Sequence, residues 1–230
     1  MRRIGLLGGM SWESSAAYYR LLNEEVRDRL GGLHSADCLL RSIDFAGLEA
    51  LQRAGRWDEA GALLAAEAEA LVAGGAELIV LCTNTMHKVA DAVTGAVEIP
   101  FVHIADATTE AVRAAGLERV GLLATAYTME QDFYVGRLRE RHGLDVLVPD
   151  AEERRDVHAI IYDELCVGVV RDASRERYRA VMAALAARGA QAVLLGCTEI
   201  GLLVGPQDAE VPVFDTTRLH VARALDLALS

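Results

Sequence analysis

Two segments of this chain repeat one another, and this repeat constrains the fold more than any other feature. Residues 74–85 (GGAELIVLCTNT) align without a gap with residues 188–199 (RGAQAVLLGCTE) at a constant separation of 114 residues. In this register Thr83, and not its neighbour Cys82, stands opposite Cys197. A duplicated strand that ends in a hydroxyl in one copy and a thiol in the other indicates a two-sided site whose faces do unequal chemistry.

The duplication extends beyond this pair of segments. The stretch RIGLL at 3–7 matches RVGLL at 119–123, and EIPF at 98–101 matches EVPV at 210–213. The three matches follow in the same order and at nearly the same separation. This order predicts that the chain consists of two similar halves.

Short apolar runs alternate with long helical patterns in both halves. Several runs are apolar without interruption, as is typical of parallel strands that are covered on both faces. Eight strands are predicted, at 3–7, 37–42, 78–81, 101–103, 120–123, 145–148, 192–195 and 213–214. Helical patterns lie between them, notably at 14–30, 58–73 and 174–188, and glycines follow several helices. The alternation predicts an α/β fold of two similar domains, each with a parallel sheet flanked by helices.

The last strand and helix of each half leave the domain boundaries open. Each terminal strand–helix pair either packs across onto the other domain or closes its own, and the sequence does not decide between them. The working prediction is an N-terminal domain of residues 1–98 and 210–230 and a C-terminal domain of residues 99–209.

Composition excludes several classes of partner and cofactor. The net charge is −11 and Lys88 is the single lysine, which disfavours binding to nucleic acid or to an anionic membrane. No apolar run approaches the roughly 18 residues of a spanning helix, and the apolar start is interpreted as a first strand, so the prediction is a cytoplasmic protein. The four cysteines show no metal-binding spacing, which predicts free thiols and no metal.

The site is expected where the strands end, because ligands of open parallel sheets bind beyond the carboxyl ends of the strands. Four polar segments follow predicted strands and would line a cleft between the two sheets: residues 8–11, 83–85, 125–128 and 197–199. The candidate catalytic residues are Thr83 and Cys197. The candidate substrate-binding residues of these segments are Met10, Asn84, Thr85, Thr125, Thr128, Thr198 and Glu199.

The strand end at Cys197 suits a reactive thiol. Cys197 is expected at the start of a helix, where the helix dipole would favour the thiolate and lower a pKa that is ordinarily near 8.5. The alternative is a small buried hydrophobic residue. Cys82 corresponds to Gly196 and is expected to pack in the core, because successive residues at a strand end face opposite ways.

The polar residues beside the catalytic pair have two interpretations. Hydroxyls, amides and backbone N–H groups at two helix starts would bind a carboxylate, or the same residues would serve as ordinary helix caps. His87 and Glu199 are candidate bases, although a histidine just after a helix start is more often a cap or a surface residue. The glycines of residues 5–10 do not match a dinucleotide loop and predict a tight turn that lets the backbone approach a small ligand.

Taken together, these motifs resemble those of a known family, the aspartate/glutamate racemases, over essentially the whole chain. The motifs that carry the resemblance are GLLGGM at 5–10, NTMH at 84–87, LAT at 123–125 and GCTE at 196–199. Glutamate racemases of cell-wall synthesis usually read GCTH at the last motif, so GCTE resembles the aspartate racemase branch. The segments GGMSWES and CTNTMHK are similar to those of a bacterial subgroup described as L-aspartate/glutamate-specific or broad-specificity racemases.

The resemblance implies a cofactor-independent amino-acid racemase that uses neither pyridoxal phosphate nor a metal and forms a homodimer. In the family, two cysteines flank the substrate Cα; one removes the proton as a thiolate and the other protonates the opposite face. Here Thr83 occupies the place of the first cysteine. A hydroxyl is a poor base at neutral pH, so the hypothesis is that Cys197 deprotonates an L-amino acid and Thr83 protonates the opposite face.

The substrate side chain is less constrained by the resemblance. Aspartate-preferring relatives use basic residues for the distal carboxylate, whereas residues 162–168 (YDELCVG) contain none. Gln52 or Arg53 is the expected contact instead, and neutral side chains such as that of homoserine become plausible beside aspartate and glutamate.

Two other functions fit a chain with one catalytic thiol. Arylmalonate decarboxylases resemble these racemases but keep only the second cysteine, which protonates an enediolate after carbon dioxide leaves. The motif Thr83-Asn84-Thr85 argues against them, because the decarboxylases are glycine-rich at that position. The last alternative is a non-catalytic relative that binds an amino acid or a protein.

Overall fold

A computed structural model describes all residues of the chain, 1–230, as two four-stranded parallel sheets flanked by helices. The first sheet has the order β2-β1-β3-β4 and the second the order β6-β5-β7-β8. The strands are β1 (Ile4–Gly8), β2 (Cys38–Ser42), β3 (Leu78–Leu81), β4 (Phe101–Val102), β5 (Arg119–Leu123), β6 (Asp145–Leu147), β7 (Ala192–Leu195) and β8 (Val213–Asp215). All eight predicted strands are present to within one residue at each end, and the predicted fold class is confirmed.

Ten α-helices connect the strands. They are α1 (Trp12–Leu30), α2 (Phe45–Arg53), α3 (Trp57–Ala73), α4 (Ala90–Ala96), α5 (Ile104–Ala114), α6 (Ala126–Glu130), α7 (Ala151–Asp163), α8 (Asp172–Ala187), α9 (Ile200–Leu203) and α10 (Thr216–Leu229). The three long helices predicted from periodicity are confirmed as α1, α3 and α8. No helix is both long and apolar enough to cross a membrane.

Side-chain caps fix where the helices start. The Ser11 side chain accepts a hydrogen bond from Ser14 N, and Gly31 ends the same helix with a φ of 75°. At α7 the carboxylate of Asp150 accepts from two backbone N–H groups while Glu153 returns to the Asp150 N–H, a complete capping box. These caps satisfy N–H groups that have no partner inside the helix.

The chain forms two compact units, with boundaries that differ from the predicted ones. The first unit comprises residues 1–103 and 220–230, and the second comprises residues 104–219. The predicted boundaries at 98/99 and 209/210 assigned β4 and β8 to the opposite domains. Instead β4 pairs with β3 and β8 pairs with β7, because each short strand completes the backbone hydrogen bonds of its own sheet. Only the helices change unit: α5 follows β4 but belongs to the second unit, and α10 passes into the first unit at His220.

The first unit buries both faces of its sheet. Ile4 and Leu6 lie in one hydrophobic cluster, whereas Leu7 lies in a second cluster on the opposite face. This alternation follows from the two-residue period of a strand. Each fully buried aliphatic side chain of this kind contributes roughly 1.5–3 kcal/mol. The second unit has one larger cluster around β5 and β7.

The glycine turn after β1 has a structural cause. Gly9 has a φ of 91°, and a Cβ there would lie 2.2 Å from the carbonyl oxygen of Ile43. Its N–H donates to Ser15 Oγ at 2.7 Å. The turn was predicted to let the backbone approach a ligand. In the structure the turn lies close to the backbone of Ile43, and any side chain at position 9 would collide with it. The approach to a ligand stays a prediction.

Candidate active site

The second copy of the repeated strand end presents a thiol beside a carboxylate. Gly196 N donates to Leu123 O at 2.7 Å, which fixes the backbone where β7 ends. The next residue, Cys197, is partly exposed, and its Sγ donates to Glu199 Oε2 at 3.0 Å. Glu199 itself is only 4% exposed. A buried carboxylate therefore lies within proton-transfer distance of the candidate catalytic thiol.

The electrostatic environment of this thiol differs from the sequence-based expectation. Burial, followed by the negative charge of Glu199, raises the pKa of the Cys197 thiol well above its ordinary value. The expected helix start is a four-residue turn, α9, and supplies no long dipole that would counter these effects. Cys197 is consequently a neutral thiol at rest, and it needs a proton acceptor before it can act as a base.

The thiol of Cys166 is a second neighbour of the Glu199 carboxylate. Cys166 Sγ is 3.8 Å from Glu199 Oε1, so the two oxygens of Glu199 each face a cysteine. Tyr178 lies close enough that the charge of Cys197 contributes to raising the tyrosine pKa, after burial. Neither Cys166 nor Tyr178 was predicted as a site residue, because they lie 31 and 19 positions before Cys197, and neither separation is a recognisable motif spacing.

Thr198 takes part in a hydrogen-bond chain that leads away from the thiol. Its Oγ1 accepts from Thr217 Oγ1 at 3.2 Å, and Thr217 N donates to Asp215 Oδ1 at 2.9 Å. Burial raises the pKa of the Asp215 carboxyl, although backbone donors oppose the shift. These contacts anchor the motif to the start of α10.

Thr125 and Thr128 form the start of α6. The Thr125 hydroxyl caps the helix at Thr128 N, and the two hydroxyls are 3.2 Å apart. His158, which the sequence did not single out, accepts from Ala126 N at 3.2 Å through Nδ1. Burial lowers the pKa of His158, so its ring is neutral there. Thr125 is thus the N-cap of α6, and the predicted role of Thr125 and Thr128 in substrate binding stays a prediction.

In the first unit, the equivalent strand end separates Cys82 from Thr83. Cys82 is fully buried in the hydrophobic cluster behind the sheet, and its Sγ points back to Val80 O at 3.7 Å. Burial raises the pKa of the Cys82 thiol far above its ordinary range. Thr83 is partly exposed. The structure therefore agrees with the internal alignment that Cys82 is a core residue.

The other candidates of the first unit are buried around the same strand end. Asn84 and Thr85 are 3% and 7% exposed, and Thr85 begins a short 3-10 helix that ends at Val89. Met10 is 5% exposed and packs in the hydrophobic cluster that contains Leu48. The helix predicted after residue 83 is thus a 3-10 turn.

The structure distinguishes Gln52 from Arg53. Gln52 is 3% exposed, its Nε2 is 2.8 Å from Met86 Sδ, and its buried Oε1 has no hydrogen-bond partner. An unpaired buried amide oxygen is costly, and it indicates a position that a ligand would complete. Arg53 instead pairs with Glu49 on the surface of α2.

The predicted site residues thus fall into two groups, one within each unit. The first group lies around the end of β3 and contains Met10, Gln52, Thr83, Asn84 and Thr85. The second lies around the ends of β5 and β7 and contains Thr125, Thr128, Cys197, Thr198 and Glu199. No group of three His, Cys, Asp or Glu side chains has the arrangement of a metal site.

Comparisons with known proteins agree on one family. The family model described as Asp/Glu/Hydantoin racemase matches residues 7–224. A candidate Asp/Glu racemase from Yersinia pestis is 53% identical over all of both chains, with a TM-score of 0.93. PH1733, an aspartate racemase homologue from Pyrococcus horikoshii, is 35% identical over all of both chains, with a TM-score of 0.87.

A more distant structure shares the fold. Glutamate racemase from Francisella tularensis, solved in complex with D-glutamate, is 17% identical, with a TM-score of 0.71. The match covers 99% of this chain and 81% of that one. At this identity the likeness concerns the architecture alone.

Proposed function

Because the chain belongs to the Asp/Glu/hydantoin racemase family, we propose that it racemises an amino acid without a cofactor, starting from the L enantiomer. Cys197 removes the Cα proton, and Thr83 delivers a proton to the opposite face. The product is the D enantiomer, and each residue regains its starting protonation state by exchange with water. The proposed substrates are aspartate and glutamate, with neutral side chains such as that of homoserine also accepted.

The observation that carries this proposal is the pair formed by Cys197 Sγ and Glu199 Oε2, 3.0 Å apart. The Cα proton of an amino acid is weakly acidic, so its removal needs a thiolate, whereas burial raises the pKa of Cys197. Glu199 resolves this conflict if it takes the thiol proton as the substrate binds. Glu199, which was predicted to bind the substrate, is proposed to be the proton acceptor for Cys197 instead.

The position of Thr83 supports unequal roles for the two faces. It occupies the same place in the repeat as Cys197, with a hydroxyl that does not form an anion at neutral pH. Such a group does not abstract the Cα proton of a D-amino acid, but it can donate to a strongly basic carbanion. Backbone and side-chain donors of Asn84, Thr85 and Thr198 are proposed to bind the α-carboxylate and to stabilise the enediolate-like transition state.

Gln52 is the proposed contact for the substrate side chain. Its buried amide oxygen without a partner accepts from a hydroxyl or an amine, and a rotated amide donates to a carboxylate. A neutral contact discriminates less strongly between carboxylate and hydroxyl than an arginine would. This is the reason to expect a broad substrate range.

The test is a panel of L- and D-amino acids incubated with the protein in deuterium oxide. Loss of the Cα proton signal by NMR measures proton abstraction, and chiral chromatography measures formation of the other enantiomer. We expect L-aspartate, L-glutamate and L-homoserine to exchange and to yield D product, and the D enantiomers to exchange at least about tenfold more slowly. Equal exchange rates for L- and D-aspartate would contradict the assigned roles. Exchange with none of the panel would contradict racemase activity.

A decarboxylase remains the second candidate because the first unit exposes no thiol at its strand end. Cys82 is buried, so Cys197 is the single thiol at the two repeated positions. One protonating thiol is sufficient after carbon dioxide leaves a malonate. Carbon dioxide release from a disubstituted arylmalonate, without exchange of any amino acid, would favour this function over the racemase.

The oligomeric state is a separate proposal. We propose a homodimer, which analytical ultracentrifugation would show as a species of about twice the 24.8 kDa chain mass. A species of the mass of one chain at all protein concentrations would contradict it.

A further inference from the structure

Hydrogen bonds hold the backbone of Thr83 on both sides of its Cα. The peptide unit before Thr83 is held by two bonds: Thr83 N donates to Leu81 O at 2.8 Å, and Ser14 Oγ donates to Cys82 O at 2.7 Å. The peptide unit after it is held by the His87 ring, whose Nδ1 lies 2.7 Å from Thr83 O. Because each peptide unit is planar, fixing the two units fixes the direction of the Thr83 Cα–Cβ bond. A β-branched side chain then has few rotamers left.

The His87 bond has a defined donor. A carbonyl oxygen only accepts, so the hydrogen lies on Nδ1 of His87. The residue is 3% exposed, and its ring packs edge-on against His103 and Phe101, with centroid distances of 4.6 and 5.6 Å. This packing holds the imidazole in place, so the restraint on Thr83 is rigid.

The second copy of the repeat lacks this restraint. At the same separation of 114 residues, Gly201 stands opposite His87 and has no side chain. The carbonyl of Cys197 instead accepts from the backbone N–H of Ile200 at 3.1 Å, within an ordinary turn. A histidine that holds the carbonyl therefore occurs in the copy with the hydroxyl and is missing from the copy with the thiol.

We propose that His87 is a positioning residue, which aims the Thr83 hydroxyl at the carbanion by holding the Thr83 carbonyl. The proposal rests on the proposed function. A hydroxyl is a far weaker acid than a thiol, so proton transfer from Thr83 depends strongly on a short and well-aligned approach to the carbanion.

Two variants separate positioning from general stability. His87→Leu keeps the bulk but removes the donor, and His87→Asn places an amide N–H close to the position of Nδ1. Both are assayed with L-aspartate in deuterium oxide, where Cα exchange of the L isomer reports on Cys197 and D-aspartate formation reports on Thr83. For His87→Leu we expect D-aspartate formation to fall about tenfold, the rate equivalent of one hydrogen bond, while exchange changes less than about twofold. His87→Asn is expected to recover most of the lost D-aspartate formation.

Two results would overturn the proposal. A fall of exchange and D-aspartate formation by the same factor would assign His87 a purely structural role, and unchanged D-aspartate formation would remove any role. His34→Leu, at an exposed histidine, is the control and is expected to change neither rate.

A crystal structure of His87→Leu tests the positioning without any assay of activity. We expect the Thr83 carbonyl to turn away and the hydroxyl to move by about 1 Å, a displacement large enough to affect catalysis. An unmoved Thr83 would overturn the proposal. If the wild type exchanges no amino acid, the proposed function fails, but this structural comparison still decides whether His87 positions Thr83.

Discussion

The two strand ends that follow β3 and β7 have the same backbone and different chemistry. At each, the residue after the strand donates its N–H to the carbonyl of the neighbouring strand: Cys82 N to Leu7 O at 2.9 Å, and Gly196 N to Leu123 O at 2.7 Å. The following residue is the one that is partly exposed, Thr83 in one copy and Cys197 in the other. The two copies thus agree in which residue is partly exposed and differ in the chemical identity of that residue.

The two cysteines at these ends show how much the environment decides. Cys82 points into the core with no charged partner, whereas Cys197 faces the carboxylate of Glu199. Burial raises the pKa of both thiols, but only Cys197 has an acceptor that can remove its proton. Among the residues of the two strand ends, the neighbouring carboxylate therefore distinguishes the proposed catalytic cysteine from the core cysteine, which the presence of a thiol alone does not.

The largest expected effect comes from removing each of these cysteines in turn. Cys197→Ala should lower Cα exchange of L-aspartate by about 10³-fold or more, because the base is lost. Cys82→Ala should leave exchange within about twofold and lower the free energy of unfolding by about 1 kcal/mol, through loss of a small buried side chain. NMR exchange and urea unfolding measure the two quantities. Loss of exchange in Cys82→Ala with retained stability would reverse the assignment.

The sequence predicted the architecture well because its signals are local. Short apolar runs, several of them uninterrupted, located all eight strands, and the repeat identified the partly exposed residue at both strand ends. The predicted domain boundaries were wrong because strand pairing joins residues that are distant in the sequence. The local sequence pattern is the same for a strand that completes the sheet of its own domain and for one that joins the sheet of the other domain. The backbone pairing of β4 with β3 and of β8 with β7 distinguishes the two cases.

The electrostatic environment of the site could not be predicted from local sequence patterns. A cysteine followed by Thr-Glu predicted a helix start and a lowered thiol pKa, but the helix is a single turn, and burial followed by the Glu199 carboxylate raises the pKa instead. Cys166 and His158 reach the site from α7 and the turn after it, at no fixed spacing from the motifs. Their positions depend on how helices pack on the sheet, which no short motif records.

The second prediction removes the charge that distinguishes Cys197 from Cys82. Glu199→Gln keeps the size of the side chain but replaces an anion by a neutral amide. The anion raises the pKa of the thiol, so its loss should lower that pKa and shift the pH dependence of Cys197 alkylation by iodoacetamide to lower pH. Turnover of L-aspartate should nevertheless fall, by roughly 10²-fold, because the proton acceptor is missing.

In Glu199→Gln, alkylation at neutral pH rises while turnover of L-aspartate falls only if Glu199 accepts the proton of Cys197. If Glu199 merely disfavoured the thiolate, Glu199→Gln would raise both alkylation and turnover at neutral pH. Cys166→Ser is the matched control, because it alters the other cysteine that faces Glu199. When Cys166→Ser is combined with Glu199→Gln, alkylation should still shift to lower pH and turnover should still fall.

The smallest expected effect comes from making the two copies alike. Thr83→Cys introduces a thiol at the position opposite Cys197, so that either face of the substrate has a group able to form an anion. Exchange of D-aspartate should rise by about tenfold over the wild type, while exchange of L-aspartate, which depends on Cys197, should change little. The gain is limited because β3 ends without a carboxylate that corresponds to Glu199: Thr85 stands at that place in the repeat. Thr83→Ser, which keeps the hydroxyl, is the control and should not gain activity on the D enantiomer. If Thr83→Cys gained none either, the unequal faces would have to originate in how the substrate binds rather than in the acidity of the residue at position 83.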